Sequence, residues 1–592
     1  MTLETQKILS PRRKTSQAHN TDELALEQLA HFGIDADSDY GQALFDAAKC
    51  LYQAHTDINR LWEITSETID SLPQSDRIAR FNAKKFLSFQ LAKVLDTLQN
   101  PFRKNYQALG YSDTTHTAKG PYPIFDNVTA LFSATPVIVR TATYIYACTE
   151  WVDDAFQGKE STHQIYSRLL NPTSISLANA IVDLECGKDA ANYLAWNFNS
   201  GMAAIDAVLS NVLNRDDILV VSRNIYGGVH QLMCDHYAKA DKWNIQLEWF
   251  DGYTTEEFSS FFDKVKQKYQ QQLEAGRKIH VYIESPCNPH GYVLDVPGIC
   301  AEAHKGDHLV MLDSTLATPV LIQPLKHTDK ASRPDYVIHS YTKDISGTGA
   351  STAGVVIGET YRMFMAKGDE VNGFPWHKTM FWDVYYIKGA FLDSDKAFEV
   401  LSGMRTLELR VITKCINTKI LTTFLDSHAD ITVNSNGVPS NSNHKLADKI
   451  ITDGLPCPLF TLDMEKAGFD RETFTRFFDS LAPTFNHMVS IGQNNTIALC
   501  PALTSHSELD AESMNAAGIY PTTIRLAMGN ESAAELIAHF YNSATMFLDK
   551  AKPGFSDGFM KAEEIDQMIR DCTLEVYAKR VAHIPKMADL LD

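Results

Sequence analysis

A chain of 592 residues, 44% hydrophobic and 21% charged, is too long and too ordinary in composition to be disordered, fibrous or a small disulfide scaffold. Its 54 Lys and Arg against 73 Asp and Glu leave a net charge of −19, which repels phosphate backbones and anionic lipid, so neither nucleic acid nor a membrane surface is an expected partner. The ten cysteines stand singly, with no CxxC pair and no His-rich spacing; no metal site is expected, and the thiols read as reduced, in a cytoplasmic protein.

The opening run MTLETQKILSPRRKTSQAHN is polar, and no later window approaches the roughly 20 unbroken apolar residues that a membrane helix needs. From residue 21 to about 110 the pattern is helical. Leu44, Ala47, Leu51, Ile58, Trp62, Thr65 and Ile69 fall near one face, and Leu87, Leu91, Val94, Leu98 and Phe102 repeat it after a Pro break, with Ser75 as the expected N-cap. Residues 1–120 are therefore expected to form a helical extension and linker, and 121–180 an arm.

Beyond the arm, short β-rich runs alternate with helical segments: DDILVVS (216–222), KIHVYIES (278–285), HLVMLDS (308–314) and DYVIHS (335–340). This alternation predicts an α/β fold with a mostly parallel sheet covered by helices on both faces, over residues 181–395. The stretch from 392, LDSDKAFEVLSGMRTLELRVITKCINTKILTTFL, reads as a long helix or helix pair, leading into a smaller α+β domain, 396–550, and a helical tail, 551–592.

Ligands of an open parallel sheet sit at the carboxyl ends of its strands. There the four runs deliver Tyr226, Asn288, Asp313 and the series Ser340-Tyr341-Thr342-Lys343. Upstream, Ser200-Gly201-Met202 opens a helix whose free N–H groups and dipole suit a phosphate. The chain has neither a GxxxxGK[ST] loop nor GxGxxG after a strand, which argues against a nucleotide held in those modes. A lysine, a carboxylate, an aromatic and a phosphate site together suit pyridoxal phosphate, whose ring nitrogen stays protonated against an acid and whose carbonyl takes a lysine.

Nine motifs in order carry a resemblance: YSRLLNPT (166–173), SGMAAI (200–205), IYGG (225–228), ESPCNP (284–289), LDSTLATP (312–319), HSYTK (339–343), TAGVVIG (352–358), MRTLELR (404–410) and IRLAMG (524–529). Together they resemble the Cys/Met-metabolism enzymes of the cystathionine γ-synthase and methionine γ-lyase family, which have the aspartate aminotransferase-like PLP fold type I. The resemblance implies that Lys343 takes the cofactor and moves protons, that Asp313 pairs with the ring nitrogen, and that Tyr226 stacks on the ring and assists deprotonation of the substrate. It implies a phosphate held by Gly201, Met202, Ser340 and Thr342, with Asn288 beside the ring hydroxyl and Arg525 clamping the substrate carboxylate. Tyr166 and Arg168 would reach the phosphate of a neighbouring subunit, implying a homotetramer built from catalytic dimers.

The resemblance further places MVSIGQNN (488–495) where the distal end of the substrate lies. Relatives acting on cystathionine carry an acid before the serine; here Val489 precedes Ser490, as in methionine γ-lyases, and favours an uncharged γ substituent. The expected function is γ-elimination from a methionine- or homoserine-type amino acid. The alternatives are γ-replacement by a synthase or sulfhydrylase, favoured by the synthase-like Gly228, and, in another class, a non-catalytic scaffold of the same fold. Asp344, Thr348 and Ala350 depart from the family pattern, and the aromatic-rich segment 361–386 is expected to line an altered pocket.

Overall fold

The computed structural model describes residues 18–31, 33–76, 78–80, 133–144, 149–158, 166–504 and 518–582. The chain separates into two compact units, 1–137 with 145–163, and 138–144 with 164–592.

In the first unit, α1 (Thr21–His31) packs on the long α2 (Asp39–Ser71). Ser38 caps α2 by accepting the Gly41 amide, and Ala25, Leu29 and Ile69 are buried. The helical reading of 44–69 is observed. The cap expected at Ser75 falls instead on Asp76, whose Oδ1 accepts the Ala79 amide at 2.9 Å, a carboxylate being the stronger acceptor. The second apolar face, Leu87 to Phe102, and most of the linker lie outside the described residues.

The second unit is built on a seven-stranded sheet: β1 (Tyr193–Phe198), β2 (Ile218–Ser222), β3 (Gln246–Phe250), β4 (Ile279–Glu284), β5 (Val310–Asp313), β6 (Tyr336–His339) and β7 (Gly354–Glu359), in the order β1-β7-β6-β5-β4-β2-β3. The neighbours from β3 to β6 are parallel, and β7 runs against both β6 and β1. Strands β2, β4, β5 and β6 are buried along their whole length, which is why they read as continuous apolar runs. A short ribbon, β8 (Glu370–Val371) and β9 (Phe374–Pro375), follows. The five-stranded second sheet, order β10-β11-β14-β13-β12, uses β10 (Thr432–Asn434), β11 (Leu459–Asp463), β12 (Asn486–His487), β13 (Ile497–Leu499) and β14 (Ile524–Ala527).

Four helices matter for the site: α3 (Pro172–Cys186), α4 (Gly201–Val212), α5 (Ser394–Met404) and α6 (Leu407–Asp426); α7 (Ala562–Ala582) closes the described chain. The stretch from 392 is thus a helix pair. One hydrophobic cluster runs from Leu177 and Ile181 of α3 through Val337 and Val355 of the large sheet and Val411 and Phe424 of α6 to Phe460 and Leu526 of the small sheet. The two sheets therefore share a core, with α6 running through it. The aromatic segment 361–386 contributes mainly to packing. Phe381, Trp382 and Tyr385 are buried, and Trp196 of β1 lies 5.0 Å from Phe381 and 4.8 Å from Tyr385, so burying these large rings outweighs lining a pocket.

Candidate active site

The carboxyl ends of the parallel strands converge as expected of an open sheet. β4 ends on Glu284, β5 on Asp313, and β6 leads through His339 into Ser340 and Lys343. The Lys343 ammonium donates to Ser490 Oγ at 3.2 Å. Burial lowers its affinity for a proton, the neighbouring Arg525 charge lowers it further, and Asp344 and Asp313 act in the opposite sense.

Arg525, on β14, is buried. Its Nη1 donates to Asn288 Oδ1 at 3.0 Å and its Nη2 to the Ser490 carbonyl at 2.9 Å, while its buried Nε has no acceptor among the described residues. Burial lowers even this guanidinium, to about 10. A buried donor left unmatched costs about 1–3 kcal/mol, so the site is incomplete without an acceptor from a ligand. Ser490, reached from both Lys343 and Arg525, lies between them. Its neighbour Val489 is 76% exposed and presents an apolar side chain to solvent.

Asp313 and Glu284 stand side by side on adjacent strands. Two buried carboxyls at this spacing do not both ionise in a low dielectric. Glu284 is pushed well above the usual carboxylate range by burial and then by the charge of Asp313, despite accepting the Tyr226 amide at 2.7 Å. Asp313 is raised by burial too, but the Thr315 amide (3.0 Å) and the Tyr282 hydroxyl (3.4 Å) donate to it and His339 acts electrostatically to lower it. Asp313 is therefore the member that keeps the negative charge, and a cation placed beside it strengthens that assignment.

At the other end, the Ser200 hydroxyl accepts the Ala203 amide and caps α4. Helix geometry leaves the preceding amides, those of Gly201 and Met202, without intrahelical acceptors. Gly201 packs so tightly on Ser340 that an added Cβ would stand 2.7 Å from Ser340 Cβ and 2.9 Å from its Oγ. The Ser340 amide donates to Thr315 Oγ1 at 2.8 Å, and the Thr342 hydroxyl exchanges hydrogen bonds with the Ala353 backbone, 3.3 Å to its carbonyl and 3.0 Å from its amide. Tyr226 is half exposed, and its ring occupies the space that a side chain at Gly228 would fill: a Cβ there would come within 2.6 Å of Tyr226 Cε1. Tyr166 is exposed, and Arg168 lies against the Tyr166 and Tyr386 rings while donating to the Tyr386 carbonyl at 2.6 Å.

A family model described as Cys/Met metabolism PLP-dependent enzyme matches residues 126–544. The chain belongs to this family. An L-methionine gamma-lyase of Fusobacterium nucleatum subsp. polymorphum is 31% identical over 403 residues, 68% of this chain and 91% of that protein. An O-acetyl-L-homoserine sulfhydrylase of Leptospira meyeri is 26% identical over 427 residues, covering 68% of this chain and 90% of its own. Among solved structures, the cystathionine gamma synthase of Xanthomonas oryzae pv. oryzae, in complex with cystathionine, superposes with a TM-score of 0.57 at 26% identity, over 70% of this chain and 94% of that one. A Campylobacter jejuni subsp. jejuni protein assigned as an O-acetylhomoserine (thiol)-lyase, which carries N'-pyridoxyl-lysine-5'-monophosphate, gives 0.59 at 27%, over 70% and 96%.

As a Cys/Met metabolism enzyme the protein depends on pyridoxal phosphate, and the residues fit that group. A buried acid that keeps its charge suits a protonated ring nitrogen, a helix start too close to Ser340 for any Cβ suits a phosphate, and an amine of lowered basicity suits a carbonyl. Beyond the residues named from sequence, the structure adds Tyr282 and Thr315, which hold Asp313, and Glu284, which holds the Tyr226 backbone. It also adds a buried pair, His339 Nε2 and Glu185 Oε1, 2.5 Å apart, with His339 immediately before Ser340 in the chain. The sequence signal for Thr315 and Glu284 was their place inside LDSTLATP and ESPCNP; Tyr282 lay in the β-rich run KIHVYIES, where it gave no signal, and Glu185 carried none.

Proposed function

We propose that this Cys/Met metabolism enzyme catalyses γ-elimination from a methionine- or homoserine-type amino acid, and the observation that carries the reading is the Lys343–Ser490–Arg525 arrangement with uncharged Val489 at its edge. Pyridoxal phosphate, when bound, supplies an electron sink for carbanions at the substrate α carbon. Arg525 binds the substrate carboxylate through the edge of its guanidinium that Asn288 and Ser490 leave open. That fixes the α C–H toward Lys343. The neutral Lys343 amine takes the α proton and then serves as the acid and base that removes a β proton. Asp313 would hold the ring nitrogen protonated, Tyr226 would cover the ring and accept a proton from the incoming ammonium, and Asn288 would stand at the ring hydroxyl. Gly201 and Met202 amides with Ser340 and Thr342 make the phosphate end.

For a thioether substrate the balance is amino acid and water in, thiol, ammonia and a 2-oxo acid out. Val489 offers no charge to a distal ammonium, which disfavours cystathionine by the lost ion pair. Support comes from the lyase relative; the sulfhydrylase relative and the crowded Gly228 favour γ-replacement as the second reading. The two separate in one experiment. With methionine or an O-acylhomoserine, 2-oxobutyrate is expected at the same rate with and without added thiol. A thioether product replacing the 2-oxo acid when thiol is present establishes replacement instead.

The same reading has Tyr166 and Arg168 completing the phosphate site of a neighbouring copy, in a cytoplasmic homotetramer of catalytic dimers. Light scattering is expected to give four times 66.2 kDa, with specific activity falling when dilution splits dimers. Full activity in a monomeric species would remove the shared site.

A further inference from the structure

Helix α6 carries a lysine at its middle that no solvent reaches: Lys414 is fully buried. Its ammonium donates to Asp344 Oδ1 at 2.5 Å and to the Gln493 carbonyl at 2.5 Å. Asp344 directly follows Lys343, and Gln493 lies in the segment that carries Ser490. One side chain thus ties the segment bearing the amine to the segment bearing the hydroxyl that accepts from it.

Other contacts run the same way. Arg410, one turn earlier on α6, donates to the carbonyls of Asp344 at 2.7 Å and Ile345 at 3.3 Å, and the Asn494 amide donates to the Gly347 carbonyl at 3.1 Å. Gly492 has φ +70°, and a Cβ there would stand 2.6 Å from the Asp344 nitrogen and 2.9 Å from Lys343 Cβ. The two segments are therefore in contact behind the amine. A buried ion pair is seldom more stabilising than apolar residues of the same volume, because desolvation of both charges offsets their attraction. Its presence beside Lys343 calls for a role other than stability.

We propose that Asp344 and Lys414 form a charge-balanced strut that positions Lys343 against Ser490 and cancels, behind the amine, the field that either charge alone would impose. The proposal rests on Lys343 being the lysine that takes the cofactor. The charged groups acting on Lys343 are Arg525 from β14, Asp313 from β5 and Asp344 from its own segment; Lys414 and Arg410, both from α6, face Asp344. Asp344 makes Lys343 more basic, and Lys414 is the charge that compensates Asp344. Removing Lys414 leaves the Asp344 carboxylate without its hydrogen-bonded cation and balanced only by Arg410, so Lys343 becomes more basic. Removing Asp344 leaves an unpaired cation, so Lys343 becomes less basic. A purely structural strut moves both variants in the same direction.

The test uses full-length protein freed of cofactor, with pyridoxal 5'-phosphate as the probe. Its covalent capture, which needs the neutral amine and releases water, is followed by visible absorbance as a function of pH. The midpoint of capture is expected to rise by about one unit in Lys414→Met and to fall by about one unit in Asp344→Asn, making capture ~10-fold slower and ~10-fold faster at a pH below both midpoints. The double variant Lys414→Met/Asp344→Asn and the charge-keeping Lys414→Arg are expected to keep the parental midpoint, because the opposite charges of the pair act on the same amine with opposite signs and are removed or retained together. Shifts of the same sign in both single variants, or no shift in either, overturn the proposal. Should Lys414→Met fail to fold, as judged by thermal melting of the cofactor-free protein, Asp344→Asn against Lys414→Arg and the double variant still decides it: an unshifted or raised midpoint in Asp344→Asn overturns it. Capture at the parental rate by Lys343→Ala sinks the assignment of the cofactor lysine, a failure distinct from that of the strut.

Discussion

Lys343→Ala is expected to lower kcat/KM by at least ~10³-fold, the combined effect of losing the covalent anchor and the proton-transferring amine. The loss is chemical rather than structural. The amine makes one hydrogen bond at 3.2 Å, to Ser490, and the rest of the segment is held by Arg410, Lys414 and the Gly347 carbonyl. The thermal midpoint of the cofactor-free variant should therefore stay close to that of the parent. Borohydride reduction followed by peptide mass mapping provides the check. The parent should yield a reduced cofactor adduct on the peptide containing Lys343, and the variant no adduct there. An adduct on another lysine with turnover retained would show that the site lies elsewhere.

Arg525→Ala is expected to be the second most damaging change, lowering kcat/KM by ~10²-fold and mostly through KM, because a charge-assisted bond to a carboxylate is worth about 1.5–3 kcal/mol. The variant also frees the Asn288 amide oxygen and the Ser490 carbonyl from their donor, so some of the effect falls on kcat through Ser490 and hence Lys343. Arg525→Lys separates charge from geometry. A compact ammonium lacks the planar fork that lets one guanidinium span Asn288, Ser490 and a carboxylate, so it should recover less than about a tenth of the lost kcat/KM. Recovery to the parental value would mean that Arg525 acts as a point charge.

The strands most legible in the sequence were those buried on both sides, β2, β4, β5 and β6, since short runs rich in apolar and β-branched residues leave little else for them to be. β3 was harder to see. It lies at the sheet edge, is mostly half-buried, and carries Glu248, which meets Lys268 and Tyr269. β1 was hidden by Asn197, a polar residue buried next to the end of the strand because its amide donates to Ser174. Of the candidate site, the residues at strand ends were legible because chain order alone brings them to one rim. The Asp344–Lys414 pair was not, since a lysine in RVITKCINTKIL reads as a solvated helix position until α6 is seen buried between the two sheets. The Thr342 hydroxyl shows the same limit, because its bonds to Ala353 depend on where β7 begins.

Helix α6 has a bearing on how the specificity of this protein can drift. Arg410, Lys414 and Asn417 of this one helix hold the segment after Lys343, the Gln493 carbonyl and the carbonyls of Gly529 and Glu531 just beyond β14. Positions 492 and 493 are thus locked to the basicity of the amine, so substitutions there alter rate whatever the substrate. Val489 stands outside that lock with its side chain in solvent. On the proposed reading, which puts Val489 at the distal end of the substrate, new substrate ranges are most accessible to single changes at 489, whereas adaptation through 492 or 493 needs compensating changes on α6.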